Sequence, residues 1–279
     1  MSPLTHPAPG AAPRAPLRVA LIGHGAIGRV IARELLALGP ASGLALVGVL
    51  CRHAEEGAGL PVPVCTDRRA LLALEPELVV EAAGHEVVRE HGPACLAAGA
   101  DLLVVSVGAL AEASLLETLE AAAQRHGRQV LLPSGALAGL DWLQSARLAG
   151  LERVCYRSRK PPQAWQGTPA EQALDLARVS EPVVFFRGSA REAATLYPKN
   201  ANVAATLALC TLGLDRTQVE LIADPGAGGN VHEIEAQGGI GRLQLQVQNQ
   251  PAPDNPKTSL VTPYSALRTL LARRAALAL

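Results

Sequence analysis

The segment that most constrains the fold is residues 17–36, where an apolar run passes through a glycine-rich turn into an amphipathic helical pattern. The turn has the spacing Gly-x-Gly-x-x-Gly at Gly23, Gly25 and Gly28. We expect the first glycine to permit a tight turn, the second to admit a pyrophosphate, and the third to let the helix pack closely on the strand. The segment predicts a dinucleotide-binding turn, and the alternative is a glycine turn in an ordinary βα unit. The residues predicted to contact the nucleotide are Gly23, Gly25, Ala26, Ile27 and Gly28.

The preferred nucleotide is predicted from the end of the second strand, residues 44–50. In NAD-specific folds an acidic residue near this position usually binds the ribose 2′-hydroxyl, whereas an arginine can bind the 2′-phosphate of NADP. Arg52 occupies this position, directly after Cys51. We therefore expect NADP to be accepted beside NAD. The alternative is a surface arginine that contacts no ligand.

Strand and helix patterns alternate up to residue 133 and predict a parallel sheet with helices on both faces. The loop after the predicted strand at residues 78–82 lies at the edge where open α/β sheets bind ligands. Ala83 and Gly84 are in this loop, and we expect them to line the nicotinamide side of the cleft. His85 follows them and is interpreted as a loop residue rather than a proton carrier.

The pattern changes after residue 150 to strands in which polar and apolar residues alternate, which is typical of an antiparallel sheet with one exposed face. Residues 153–158 alternate as in a half-buried strand, residues 181–188 form a strand-like run, and residues 218–224, 232–237 and 241–247 are predicted as antiparallel strands. Residues 159–162 are expected to break the first of them. A last helix at 264–279 has an apolar face that we expect to cover the first domain.

The chain is thus predicted to be an α/β protein with a Rossmann dinucleotide-binding domain and an α+β catalytic domain whose sheet is mostly antiparallel. The predicted divisions are a disordered leader at 1–16, the Rossmann domain at 17–133, the α+β domain at 134–254, and a returning helical segment at 255–279.

Composition excludes several kinds of partner. A formal net charge of zero and an aromatic content of 3% do not suit nucleic acid. No apolar run reaches the roughly 18 residues of a membrane-spanning helix, so no membrane partner is expected. Five cysteines without a CxxC pair indicate reduced thiols in a cytoplasmic protein. The seven histidines are dispersed, which argues against a metal site. The leader is rich in Pro and Ala and lacks the apolar core of a signal peptide.

Two segments of the second domain could carry chemistry. Lys199, Asn200 and Asn202 precede an apolar helix, where a cation beside two amides suits a carboxylate-bearing ligand. The alternative is that one of the asparagines only caps the helix. His232 follows a glycine loop at the start of a strand and is the best candidate proton carrier, unless it is a core residue. The small residues around Ala136 would let the backbone approach a flat nicotinamide ring.

Five segments together resemble the L-aspartate dehydrogenase family. They are GHGAIG at 23–28, PSGALAGLD at 133–141, YPKNANVA at 197–204, NVHEIEAQG at 230–238 and NPKTS at 255–259. The resemblance implies NAD(P)-dependent oxidation of L-aspartate to iminoaspartate, which gives oxaloacetate and ammonia. It also implies a homodimer, the reverse amination of oxaloacetate, and a supply of iminoaspartate to NAD biosynthesis. His232 matches the family's active-site histidine, and Ala136 and Asn202 match its cofactor-contacting residues.

Two alternatives remain open at this point. One is another Rossmann enzyme of amino-acid metabolism, of the dihydrodipicolinate reductase or homoserine dehydrogenase type, which shares the first domain. The other is a non-catalytic sensor of the NAD(P) redox state. The segments around Asn202 and His232 favour the aspartate dehydrogenase over the other enzymes. The presence of His232, Asn202 and Lys199 argues against the sensor, because a sensor need not keep a substrate site.

Overall fold

The computed structural model describes residues 15–198, 202–252 and 255–277, without the side chains of Pro256 and Lys257. Lys199, Asn200 and residues 1–14 of the predicted leader lie outside the described residues. The chain divides into two compact units. The first takes its described residues from Met1–Val105, Thr118–Pro133 and Pro263–Leu279, and the second from Ser106–Glu117 and Ser134–Thr262. No helix within the described ranges has the length and apolar character needed to cross a bilayer.

The strands are β1 (Leu17–Ile22), β2 (Leu44–Leu50), β3 (Val64–Cys65), β4 (Leu78–Glu81), β5 (Asp101–Val104), β6 (Val130–Leu131), β7 (Leu151–Lys160), β8 (Val183–Ser189), β9 (Gln218–Ala223), β10 (Asn230–Gly238), β11 (Gly241–Asn249), β12 (Pro251–Ala252) and β13 (Asn255–Ser259).

The α-helices are α1 (Ala26–Leu38), α2 (Arg68–Leu72), α3 (His85–Ala97), α4 (Ala113–His126), α5 (Leu140–Leu148), α6 (Ala170–Ala173), α7 (Ala190–Leu196), α8 (Asn202–Cys210) and α9 (Val261–Ala272). Short 3₁₀ helices span Pro40–Ser42, Ala54–Gly57, Val107–Ala111 and Pro162–Trp165.

The first unit contains a six-stranded sheet in the order β3-β2-β1-β4-β5-β6. Every pairing in it is parallel. This is the strand order of a Rossmann domain, and it confirms the α/β prediction for the first half of the chain. The central strands consist mainly of apolar residues because both faces of a parallel sheet are covered, as the buried Leu78, Val79 and Val80 of β4 illustrate.

Helix α9 packs its apolar face into the core of the first unit. Ala266, Leu267 and Leu270 are buried in the same cluster as residues of β1, β2 and β4. The prediction of a helix over 264–279 was wrong at both ends, because α9 spans Val261–Ala272. Past Ala272 the chain turns, and the guanidinium of Arg273 pairs with Asp101 at 2.6 Å. Apolar spacing alone could not reveal that turn.

The second unit contains a five-stranded sheet in the order β11-β10-β7-β9-β8. Three of its pairings are antiparallel, but β7 and β9 run parallel, so the sheet is mixed. The sequence predicted β9, β10 and β11 as one antiparallel group. Only β10 and β11 pair in that way, since β7 lies between β9 and β10. Alternation of polar and apolar residues predicts a half-buried strand but not its neighbours.

Strand β7 is longer than predicted. The Arg159–Lys160 pair was interpreted as part of a break, whereas both residues belong to the strand and pair with β9. Strand β10 also pairs with β7 through Arg159. Neighbours on both edges thus hold β7 in an extended conformation up to Pro161, whose ring removes the backbone donor. The longer strand places Lys160 on the same sheet face as Tyr156 and Ser158.

Candidate active site

The glycine turn between β1 and α1 has the geometry expected for phosphate binding. Gly23 has a φ of +95°, which favours glycine, and a Cβ added at Gly28 would lie 2.0 Å from the Gly23 carbonyl oxygen. A Cβ at Gly25 would meet no described atom within 4 Å, so open space faces the turn. Within the described chain no side chain caps α1, and its first N–H groups are available to an anion. These features fit a dinucleotide.

The loop after β4 is held by a buried carboxylate that sequence reasoning missed. Oε1 of Glu81 accepts hydrogen bonds from the backbone N–H groups of Ala83 and Gly84, each at 2.8 Å. Glu81 is only 1% exposed. A Cβ at Gly23 would come 2.7 Å from the Cβ of Ala83, so this loop lies directly against the glycine turn. The predicted cofactor residues of the two loops are therefore neighbours.

The end of β2 is also connected to the glycine turn. The Nδ1–H of His24 donates to the carbonyl of Glu56 at 2.5 Å, which joins the turn to the 3₁₀ helix Ala54–Gly57. Arg52 lies between β2 and that helix and is exposed. This position leaves its guanidinium accessible, and the choice between NAD and NADP stays a prediction.

His232 lies on β10 in the second unit, with 2% of its surface exposed. Its Nδ1 is 2.7 Å from the hydroxyl of Tyr156, and the two rings are nearly parallel at 15°. Its Nε2 is buried and has no hydrogen-bond partner among the described residues. Burial lowers the pKa of His232 to about 3, and the positive charge of Lys160 adds to the shift. The imidazole is therefore neutral at physiological pH.

Two further polar residues lie on the same sheet face, and neither was selected from the sequence. Lys160 is 3% exposed, with its Nζ 5.4 Å from the centre of the Trp165 ring. Ser158 is fully buried, and its hydroxyl has no partner of good hydrogen-bond geometry in the described part of the chain. The signal that could have identified them is their spacing from Tyr156 along one strand, two residues for Ser158 and four for Lys160.

Of the other predicted residues of the second unit, Asn202 lies at the start of a helix and Ala136 lies in a turn. Asn202 begins α8, and its Oδ1 accepts a hydrogen bond from the N–H of Gly108 at 2.9 Å. The Ala136 carbonyl accepts a hydrogen bond from Nδ2 of Asn249 at 2.9 Å. The structure thus brings Asn202 to the 3₁₀ helix Val107–Ala111, a contact between segments far apart in the sequence. Lys199 and Asn200 lie outside the described residues.

Among the described residues, no group of three His, Cys, Asp or Glu side chains could hold a metal ion. All five cysteines lie in described ranges and are free thiols. Burial raises the pKa of Cys95 to about 11, so this thiol is not a nucleophile at neutral pH.

The parallel sheet, its strand order and the glycine turn define a Rossmann-type nucleotide-binding protein with a second α/β unit. Two family models support this division. The model described as "Homoserine dehydrogenase, NAD binding domain" matches residues 23–133, and the model "Aspartate dehydrogenase, C-terminal" matches residues 141–273. The first unit is therefore an NAD-binding domain by fold and by family.

Individual relatives agree with the second model. The chain is 48% identical to an L-aspartate dehydrogenase of Cupriavidus taiwanensis over 257 residues, covering 91% of this chain and 96% of that one. It is 55% identical to one of Pseudomonas aeruginosa over 195 residues, covering 70% and 73% of the two chains. The crystal structure of aspartate dehydrogenase from Thermotoga maritima superposes with a TM-score of 0.75 at 27% identity, covering 94% of this chain and 99% of the other. The chain belongs to the L-aspartate dehydrogenase family.

Proposed function

We propose that the protein oxidises L-aspartate to iminoaspartate with NAD or NADP, and that water then converts the imine to oxaloacetate and ammonia. The observation that carries this proposal is His232, a buried neutral histidine with an unpartnered Nε2 in the unit that matches the aspartate dehydrogenase model. The relatives named L-aspartate dehydrogenase supply the substrate.

Nucleotide binding is assigned to the glycine turn. The open space at Gly25 and the uncapped N–H groups of α1 would hold the pyrophosphate, with Ala26, Ile27 and the flanking glycines around it. Ala83 and Gly84, fixed by Glu81, form the neighbouring wall. Ala136 and Asn202 are assigned to the nicotinamide end through the family resemblance. When bound, NAD(P) accepts the hydride that leaves the substrate Cα.

The chemistry of the chain itself centres on His232. Because burial keeps the imidazole neutral, Nε2 can serve either as proton acceptor or as donor, depending on which nitrogen carries the hydrogen. A Tyr156 hydroxyl that donates to Nδ1 leaves the hydrogen on Nε2, and one that accepts leaves Nε2 as a base. We assign His232 to removing the substrate's proton or to activating the water that adds to the imine.

The amine of aspartate must be uncharged when hydride leaves, so we expect activity to increase towards alkaline pH. A rate that is constant from about pH 6 to about pH 10 would contradict this assignment. The reverse reaction, amination of oxaloacetate, follows from the same chemistry. The supply of iminoaspartate to NAD biosynthesis stays a prediction.

Two further properties belong to this proposal. A homodimer is proposed from the family resemblance. A cytoplasmic location is proposed because all five cysteines are free thiols, which is typical of a reducing compartment. Sedimentation analysis tests the homodimer, and a single species with the mass of one chain would exclude it.

The test of the activity is the absorbance of reduced nicotinamide, recorded with purified protein, L-aspartate and either NAD or NADP at alkaline pH. We expect reduction with L-aspartate, and none with L-homoserine, L-glutamate or D-aspartate. L-Homoserine is the important control, because the first unit matches the homoserine dehydrogenase model. His232→Ala should remove turnover and leave nucleotide affinity intact. A protein that binds the nucleotide but reduces it with no amino acid would instead support a redox sensor.

A further inference from the structure

Glu81 is a polar residue at the end of an otherwise apolar strand. Strand β4 has the sequence Leu-Val-Val-Glu, and Glu81 is only 1% exposed. Its backbone pairs with Ile22 of β1 on one side and with Val104 of β5 on the other. Taking a carboxyl group out of water is costly unless hydrogen bonds replace its hydration. An apolar residue would fill this place without that cost, so the side chain of Glu81 has a role beyond packing.

The side chain of Glu81 closes the loop that follows it. Its Oε1 accepts hydrogen bonds from the N–H groups of Ala83 and Gly84, so a single oxygen binds the backbone two and three residues ahead. Asp and Asn form tight turns with their own side chains in a similar way. Gly84 completes the turn with a φ of +148°, in the region that favours glycine. The carboxyl group therefore fixes the direction in which the chain leaves β4.

The closed loop lies against the glycine turn. A Cβ added at Gly23 would lie 2.7 Å from the Cβ of Ala83 and 3.0 Å from the carbonyl carbon and oxygen of Ala82. A shift of this loop would therefore change its packing on the turn. A Cβ at Gly84 would meet no described atom within 4 Å, as at Gly25. The two loops are thus in contact, and each has open space beside one of its glycines.

We propose that Glu81 is a positioning residue for nucleotide binding, and that its carboxyl group holds Ala83 and Gly84 where they bound the space assigned to NAD or NADP. This assignment rests on the proposed function in taking the glycine turn as the nucleotide site. Glu81 acts through the loop rather than by touching the ligand. A loop that is already ordered costs the nucleotide less conformational entropy on binding, and the affinity therefore depends on Glu81.

Glu81→Met and Glu81→Gln separate this role from packing. Both substitutions keep an unbranched side chain of similar length. The amide oxygen of Gln can still accept both N–H groups, whereas the thioether of Met is only a weak acceptor. Titration with NAD and with NADP, without L-aspartate, gives the dissociation constants. We expect Glu81→Met to weaken binding about tenfold or more, and Glu81→Gln to stay within about threefold of wild type.

Asp101→Leu is the matched control. Asp101 is another buried carboxylate of the same sheet, and its Oδ1 accepts a hydrogen bond from the N–H of Gln129 at 2.9 Å. It pairs with Leu78 at the start of β4, so it lies at the opposite edge of the sheet from Glu81. We expect this variant to unfold at a lower temperature than wild type. Its dissociation constants for NAD and NADP should nevertheless be unchanged.

Glu81→Asp keeps the inference testable if Glu81→Met does not fold. It retains the carboxyl group but withdraws it by one methylene group from the N–H groups of Ala83 and Gly84. We expect it to bind the nucleotide more weakly than Glu81→Gln, although it preserves the charge. Affinity equal to that of wild type would show that the reach of this side chain does not matter, and would overturn the inference.

Steady-state kinetics distinguish a misplaced loop from partial unfolding. Partial unfolding reduces the amount of active enzyme, so it lowers the apparent kcat and leaves KM unchanged. A misplaced loop should raise KM for the nucleotide more than it lowers kcat.

Three results would overturn the inference: a Glu81→Met protein with wild-type affinity, a Glu81→Gln protein as weak as Glu81→Met, or an equal loss of affinity in Asp101→Leu. Failure of the proposed function is a separate outcome. Nucleotide affinity that depends on Glu81, in a protein that does not oxidise L-aspartate, would reject the activity and keep the positioning role. Oxidation of L-aspartate by a protein whose nucleotide affinity is independent of Glu81 would reject only the positioning role.

Discussion

The hydroxyl of Tyr156 lies 2.7 Å from Nδ1 of His232. Both rings are buried, and burial raises the pKa of the Tyr156 hydroxyl above its ordinary value, so the phenol stays protonated. A neutral hydroxyl therefore orients this imidazole, rather than the carboxylate that orients the histidine of a Ser-His-Asp triad. It fixes the ring but supplies no negative charge to stabilise the imidazolium, which agrees with a histidine that remains uncharged.

Tyr156→Phe should test this orientation. The substitution removes only the hydroxyl, so we expect kcat to fall about tenfold, the effect of one lost hydrogen bond. Nucleotide affinity should not change, because Tyr156 is not assigned to the cofactor. Steady-state kinetics and a nucleotide titration make the comparison. Equal kcat values for variant and wild type would show that the hydroxyl does not position His232.

The lowered pKa of His232 predicts how stability depends on pH. Unfolding returns the imidazole to a pKa of about 6.5, so below that pH the unfolded chain binds a proton that the folded chain does not. The contribution of His232 to the free energy of unfolding is complete above about pH 6.5. It decreases as the pH falls towards the pKa that His232 has in the folded protein. Between about pH 7.5 and about pH 5 the free energy of unfolding should decrease by about 2 kcal/mol from this residue.

His232→Asn removes the titration, and its free energy of unfolding should vary less with pH than that of wild type. Chemical denaturation at the two pH values provides the measurement. Other titrating groups, such as His91, whose pKa burial also lowers, are common to both proteins and cancel in the difference. Parallel pH curves for wild type and variant would show that His232 is not held neutral in the fold.

Gly25→Ala and Gly28→Ala form a pair that separates nucleotide binding from folding. The new methyl group at Gly28 would lie 2.0 Å from the Gly23 carbonyl, so this variant should lose about 1–3 kcal/mol of stability. At Gly25 the methyl group meets no described atom within 4 Å, and stability should stay within about 0.5 kcal/mol.

Gly25→Ala should nevertheless weaken nucleotide binding about tenfold or more, because the methyl group occupies the space assigned to the pyrophosphate. Thermal unfolding and a nucleotide titration of both variants measure the two effects. A Gly25→Ala protein that binds the nucleotide normally would place the pyrophosphate elsewhere.

Arg52 is predicted to contribute to NADP binding through the 2′-phosphate. Arg52→Ala should lower the affinity for NADP about tenfold and leave the affinity for NAD nearly unchanged, since only NADP carries that phosphate. The ratio of the two dissociation constants is the quantity to compare with wild type. If both affinities change equally, or neither does, Arg52 is a surface residue without a role in selection.

The first unit could be predicted from the sequence because its signals are local. Three features are adjacent in the chain: the apolar run at Leu17–Ile22, the glycine turn and the apolar face of α1. Together they identify the first βα unit of a Rossmann domain. The sheet of the second unit could not be predicted in the same way. The strand order in this sheet depends on which strands pair with β7 on its two edges. Contacts between residues distant in the chain determine that pairing.

Only part of the candidate site could be predicted from the sequence, because its contacts also join residues that are distant in the chain. His232 was selected by residue type and family resemblance, but its partner Tyr156 is 76 residues away in the chain. Lys160 was not selected from the sequence, because a basic pair followed by two prolines suggested that the strand had ended. Pairing with β9 keeps that segment extended, and this places the ammonium of Lys160 on the buried face of the sheet.

Helix α9 has a consequence for how this protein is made. The core of the first unit needs Ala266, Leu267 and Leu270, yet the ribosome adds them after every residue of the second unit. The core that supports the glycine turn is therefore complete only after the whole second unit has been synthesised. The second unit can acquire its sheet earlier, since β11 is synthesised before α9. Competence to bind a nucleotide should consequently appear in the growing chain only after the second unit has been synthesised.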